Sequence, residues 1–184
     1  MAVPGGLVKS TYCNCYPASG VSGPVERDSN LMNDPIQLVV FTLDEQRYAL
    51  HLFVVERIVH IVRVTPLPKA PEIVFGVINV EGRIIPVLDI RKRFRLPERG
   101  LDLNDRLIIV RTSGRVVALA ADTVSGVIQR PEQKVVATEK ILPGLEYVEG
   151  VLKLEDGLVL IHNLDKFLSL DEEETLEQAL RSVT

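Results

Sequence analysis

The sequence predicts an all-β fold in which two small β lobes share one seam and a short helix closes the chain. Three observations carry that prediction. Valine and isoleucine number 39 among 184 residues, and 34 of them fall between Ile36 and Leu164. Such side chains suit a pleated surface and lose rotamers in a helix. Aliphatic runs are separated four times by tight-turn residues, and the chain repeats itself in the order A-B-A′-B′.

Residues 1–35 differ in kind from the rest. Glycine and proline punctuate a polar run without a sustained period, which reads as a disordered N-terminal extension. From Ile36 the strands begin. Leu38 to Leu43 and Arg47 to Leu52 flank Asp44-Glu45-Gln46, a first hairpin. The run Leu52 to Val64 carries more apolar residues than a strand exposed on one face requires. It is either buried on both sides, or part of it forms an exposed apolar patch for a partner. Leu67-Pro68-Lys69-Ala70-Pro71 reads as a stiff connector. Further hairpins turn at Glu81-Gly82, Ser113-Gly114 and Asp156-Gly157, where glycine supplies the positive φ that tight connections need. Pro86 cannot donate to a ladder and is expected at an edge position or a bulge. Asp89 and Asp165 are expected to cap short helical turns after strands. Ser169-Leu170-Asp171-Glu172 is a capping-box pattern followed by Leu176, Leu180 and Val183, which predicts a helix over 170–182.

The repeat sharpens the architecture. An ungapped shift of 69 lays residues 38–59 on 107–128, matching Val39 with Ile108, Val40 with Ile109, Val55 with Val124 and Ile58-Val59 with Val127-Ile128. Gly76-Val77-Ile78 resembles Gly150-Val151-Leu152 in the same way. A lobe of about 60–70 residues is marginal alone, so two lobes gain by burying a common seam. Closed or nearly closed small barrels are the expected form, because closure removes exposed edges.

Catalysis finds little support in the residues. His51, His60 and His162 fall in separate predicted strands with no motif linking them, and the glycines form no phosphate-cradling loop. Cys13 and Cys15 are too few ligands for a zinc site and cannot staple the fold from the tail. A net charge of −4 argues against a general nucleic-acid binder. The basic cluster Arg91, Lys92, Arg93, Arg95 and Arg99 lacks interleaved aromatics, and reads better as a solvated turn or the polar rim of a protein-binding patch. No secretory signal or span of 18 uncharged apolar residues is seen, so a cytoplasmic location is expected. The residues alone indicate a binding module without catalysis, metal or cofactor.

The run GVINVEGRIIPVLDIRKRF, residues 76–94, resembles the signature of the CheW family of bacterial chemotaxis coupling proteins. The likeness extends through IQLVVFTLDEQRYAL upstream and through DRLIIVRTSGRVVALAADTVSGVI and GVLKLEDGLVLIHNLDKFL downstream, from about Ile36 to Leu168. It implies two intertwined five-stranded SH3-like β-barrels over 36–168, with 169–184 as helix and tail. It also implies a non-enzymatic adaptor between chemoreceptors and a CheA-type histidine kinase. One lobe would meet the kinase regulatory domain, and the receptor's cytoplasmic tip would dock in an apolar groove near the lobe junction. The receptor-facing stretch corresponds to Val54, Val55, Arg57 and Ile58 with Asn79, Glu81, Gly82 and Arg83. Val124 and Val127 would form the second wall. A membrane would be met only through the receptors, and no nucleic acid is implied.

Two charges depart from the family pattern. Family members commonly carry Glu at the position of Arg57 and Arg at that of Glu81; both are reversed here. If these side chains meet, a swapped ion pair preserves the local structure while altering the match to a partner. The alternative reading is a CheW-like regulator of a dedicated motility or development pathway that binds the kinase without a standard chemoreceptor.

Overall fold

A computed structural model describes residues 35–137, 147–155 and 157–181. Residues 1–34 of the expected extension, with Cys13 and Cys15, lie outside these ranges, as do Asp156 and Val183.

Strands β1 (Pro35–Leu43) and β2 (Gln46–His51) form the first hairpin, and a 3-10 turn at Leu52–Val54 leads into β3 (Val55–His60). After the proline-bearing connector come β4 (Val74–Val80), β5 (Arg83–Leu88) and helix α1 (Ile90–Phe94). The second half repeats the plan with β6 (Arg106–Arg111), β7 (Val116–Ala121), β8 (Thr123–Pro131), the short β9 (Val135–Ala137), β10 (Val148–Leu154) and β11 (Gly157–His162). Helix α2 (Leu170–Arg181) follows. The capping box at its start closes in both directions: the Ser169 amide donates to Glu172 at 2.7 Å, and the Glu172 amide to Ser169 Oγ at 3.3 Å.

The lobes are intertwined by strand exchange. One sheet runs β3-β6-β7-β5-β4 and the other β8-β1-β2-β11-β10-β9. Each central hairpin takes its third strand from the opposite repeat: β3 pairs β6, and β8 pairs β1. The parallel pairings β5–β7 and β2–β11 are likewise equivalent. Even the bulges correspond, at Val74/Gly76 in β4 and at Val148/Gly150 in β10. The six-stranded sheet exceeds the expected five by β9, whose counterpart in the other sheet is only an isolated bridge, Thr65 to Val77. Edge strands do not pair with each other among the described residues, so closure is incomplete.

Burial explains the continuous aliphatic runs. In β6, Leu107 and Ile109 face the core of the five-stranded lobe, while Ile108 and Val110 face the seam. In β1, Leu38 and Val40 face the other lobe's core; past the bulge, Phe41 and Leu43 face the seam. A strand buried on both faces has no polar side to alternate with. Each Val, Leu or Ile buried in this way contributes about 1.5–3 kcal/mol, so the shared seam stabilises lobes that would be marginal apart.

Local expectations fared unevenly. Pro86 precedes the only two residues of β5 that pair with β7, so its missing N–H faces an open flank. Asp89 caps α1 as expected, accepting from the Arg91 amide at 3.1 Å. Asp165 does not cap. Asn163 holds that position and accepts from the Asp165 amide at 3.0 Å, while the Asp165 carboxylate receives the Ser113 amide at 2.7 Å. The chain turns into the 3-10 helix two residues before Asp165, which makes Asn163 the structural equivalent of Asp89.

Candidate functional site

The β4–β5 turn is built by its own sequence. Glu81 and Gly82 both take positive φ, 54° and 84°, and Asn79 Oδ1 accepts the Gly82 amide at 2.9 Å. This turn curls toward β3, although the two occupy opposite ends of the strand order. Arg57 donates to Glu81 at 2.8 and 3.5 Å, and Arg83 to Glu56 at 3.1 Å. Arg111 of β6 joins from the other side at 2.5 Å to Glu56. The guanidinium beside it holds the Glu81 carboxyl below its ordinary value, and Arg83 does the same for Glu56. Arg57 and Glu81, the two charges singled out in the sequence, therefore meet as an ion pair.

Several apolar side chains on the same segments stay exposed. Ile58 is 40% exposed, Val62 46% and Ile84 47%, and Phe53 stands out at 84%. No residue between Leu52 and Val64 is fully buried: Phe53, Ile58 and Val62 are exposed, while Val54, Val55, Val59, Ile61 and Val64 pack half-buried against the cores, so only part of the run is exposed. Val54 and Val55 bridge the patch to the interior by packing against the seam.

Beside Val54 opens a cleft of about 360 Å³ between the lobes, lined also by His51, Phe53, Arg111, Glu149 and His162. His51 pairs with Glu149 at 3.2 Å. His162 lies at the floor within a cluster of rings, with Phe94 at 4.4 Å, Tyr48 at 5.4 Å and Phe167 at 5.7 Å between centroids. Burial pushes its pKa down to about 3, against a smaller opposing effect of the Tyr147 carbonyl 3.2 Å from Nδ1. The ring is therefore neutral, with Nδ1–H as donor; Nε2 is buried and has no partner among the described residues.

The structure ties Arg57, Asn79, Glu81, Gly82 and Arg83 together around the β4–β5 turn; Ile58, next to Arg57 on β3 and opposite Ile108, points to the other face of the strand, and Val54 and Val55 pack against the seam. Val124 packs on the same seam cluster as Val54 and Val55. Val127 stands apart: it is 54% exposed on β8, in the other sheet, opposite Val39.

Of Arg91, Lys92 and Arg93, expected on a polar rim, Arg91 is drawn inward, while Lys92 is exposed and Arg93 half-buried. Arg91 is 5% exposed. It donates to Asp44 at 2.9 Å and to both oxygens of Asp122 at 2.8 and 2.6 Å. Arg99 links Asp122 to Asp105 at 2.6 and 2.7 Å. Burial raises the Asp122 carboxyl, but hydrogen bonds from Arg91, the Asp44 amide and Arg99 outweigh it and leave it below its ordinary value. Arg93 pairs with Glu172 of α2 at 2.6 Å, and Lys92 lies 3.7 Å from Glu98. Charge density alone signals a rim; burial is decided by Asp44 and Asp122, carboxylates 47 and 31 positions away that no local motif announces.

Among the described residues no group of three or more His, Cys, Asp or Glu converges as a metal site, and no helix is long and apolar enough to cross a membrane. A duplicated, strand-exchanged β module with exposed apolar side chains and a cleft between its lobes belongs to the class of protein-binding modules. The CheW-like domain model matches residues 37–172, and the chain belongs to that family. It is 28% identical to a chemotaxis protein CheW of Treponema pallidum, over 76% of this chain and 86% of that one. It is 30% identical to that of Bacillus subtilis, over 74% and 88%. The crystal structure of the scaffolding protein TtCheW from Thermoanaerobacter tengcongensis matches with TM-score 0.69 at 34% identity, covering 75% of this chain and 95% of that one.

Proposed function

We propose that this protein is a non-enzymatic adaptor that couples chemoreceptors to a CheA-type histidine kinase in a bacterial chemosensory array. Family membership supplies the prior. The observation that carries the reading is the exposure of the apolar side chains Ile58 on β3 and Ile84 on β5, two segments laced together by the Arg57–Glu81 and Glu56–Arg83 pairs, with Val54 lining the junction cleft beside β3. Solvent-exposed apolar residues beside charged ones are what a docked partner would bury. In this reading the receptor's cytoplasmic tip lies on these segments, contacting Val54, Val55, Ile58 and the Asn79–Arg83 turn. The kinase regulatory domain takes a separate surface, so that changes in the receptor reach the kinase through one rigid body.

The reversed pair fits a dedicated receptor. An exposed ion pair contributes little to stability whichever way round it is written, but juxtaposed like charges penalise the wrong partner. Co-purification of the full chain with its own kinase regulatory domain and receptor tip tests the reading. Both partners should be retained. The double swap Arg57→Glu with Glu81→Arg should leave the melting temperature in place and weaken receptor-tip binding about 10-fold or more. Retention of the kinase alone would favour the dedicated regulator without a receptor. Retention of neither would overturn the proposal, and unchanged receptor affinity in the double swap would remove the role given to the pair.

A further inference from the structure

Helix α2 is held to the five-stranded lobe by few contacts. Of its 12 residues only Leu176 and Ala179 are buried, with Leu180 half-buried beside them. They lie in an apolar groove formed by Leu67 and Ala70 of the connector and by Val74 and Val77 of β4. Two arginines flank the groove. Arg93 of α1 donates to Glu172 at 2.6 Å, and Arg115, next to β7, donates to Glu177 at 2.8 Å. Glu172, Leu176 and Ala179 follow at i, i+4 and i+7, the spacing of an amphipathic helix seated in a groove.

The fit is incomplete where the charges meet. Nε of Arg93 and Nε of Arg115 are both buried, and neither has an acceptor among the described residues. A buried N–H without a partner carries its desolvation penalty uncompensated. Both carboxylates of α2 are shared with other groups. Glu172 takes Arg93 and the Ser169 amide on the same oxygen, Oε2, and Glu177 also pairs with Arg181 at 3.3 Å. α2 thus engages each guanidinium through one terminal nitrogen, where a carboxylate approaching side-on would take Nε as well. A helix of this length is marginal once released from its packing, and so shallow an anchorage opens locally at small cost.

We propose that α2 is a displaceable occupant of this groove, and that the groove takes an acidic amphipathic helix of a partner protein in its place. The partner helix supplies a large apolar side chain at the Leu176 position, a small one at that of Ala179, and two carboxylates that satisfy Arg93 and Arg115 at Nε. The groove residues belong neither to β3 nor to the Glu81-Gly82 turn, so this surface is separate from the one assigned to the receptor. Because α2 competes within the chain, affinity for an incoming helix is reduced to the fraction of chains whose groove is open.

A labelled peptide of the helix itself, residues 169–181, serves as the probe, and fluorescence anisotropy with the full chain reads its binding. Leu176→Glu in the chain weakens the internal competitor, and the peptide should bind that variant at least about 10-fold more tightly than wild type. Glu172→Lys with Glu177→Lys in the chain opens the groove by a second route and should give the same gain. Adding Arg93→Glu and Arg115→Glu to the Leu176→Glu chain should abolish binding. A peptide carrying Glu172→Lys and Glu177→Lys should then bind it again. Binding should weaken at about 0.5 M salt, where surface charges are screened, and circular dichroism confirms folding of each variant. Equal affinity for wild type and both opened variants, no binding up to about 1 mM, or binding that ignores the arginine reversal would each overturn the proposal. So would a wild-type dimer that the peptide dissociates, which would make the occupant a second copy.

Discussion

Lowering the pH from about 7.5 to about 5 should weaken the fold by about 2 kcal/mol through His162 alone. The ring sits 2% exposed at the floor of the junction cleft with its pKa pushed down to about 3, against an ordinary value of 6.5. Between those values the unfolded chain binds a proton that the folded chain does not. The stabilisation is thus complete above pH 6.5 and is lost progressively as pH falls toward 3. At pH 5 about 1.5 units of that window have been crossed, at ~1.4 kcal/mol per unit. The carboxyls of Asp122 and Glu172 lie below their ordinary values, so their own losses come at more acidic pH. Urea unfolding followed by far-ultraviolet circular dichroism at the two pH values measures the difference in wild type and in His162→Phe. Phenylalanine suits a site already ringed by Tyr48, Phe94 and Phe167. It gives up the bond to the Tyr147 carbonyl, about 1 kcal/mol at either pH, and every other titrating group is shared. Wild type should therefore lose about 2 kcal/mol more than the variant between the two conditions. Equal losses would refute the assignment of a neutral buried imidazole.

Two further outcomes test the framework that holds the site. Gly76→Ala should cost about 3 kcal/mol or prevent folding, because φ is +150° and a Cβ there would lie 2.2 Å from the Thr65 carbonyl oxygen. Gly150→Ala should cost measurably less by the same denaturation assay, since the nearest obstacle is the Val135 side chain at 2.5 Å. Arg91→Ala should destabilise by about 3 kcal/mol, the lower end for a broken buried pair because Asp44 keeps part of its hydration. The loss should shrink when Asp122→Asn is added, and a strictly additive double mutant would show that the two side chains do not act as a unit.

The duplication was legible because it repeats side-chain types in order: Val39-Val40-Phe41 and Ile108-Ile109-Val110 look alike wherever they fold. The exchange of β3 and β8 between the repeats was not legible from spacing, since Val55 opposite Val110 and Val124 opposite Phe41 are long-range pairings with no local signature. The CheW resemblance supplied that step. Among site residues, the turn at Glu81-Gly82 announced itself by its own backbone chemistry, and the Arg57–Glu81 contact became an expectation once both charges were seen to be reversed together. Arg91 misled for the opposite reason. Its neighbours Lys92 and Arg93 made it look like one member of a solvated cluster, whereas Asp44 and Asp122 draw it inward across the lobe junction. Here the two repeats diverge in use while keeping one geometry. Arg91 reaches the first hairpin turn at Asp44, and its counterpart Asp165 reaches the equivalent turn by accepting the Ser113 amide. The same position thus fastens each lobe's hairpin with opposite charge, and only the first reaches on to Asp122, at the crossover from β7 to β8. A selection for coupling, in which force on one lobe must be felt by the other, would preserve that one buried clamp while leaving surface pairs such as Arg57–Glu81 free to reverse.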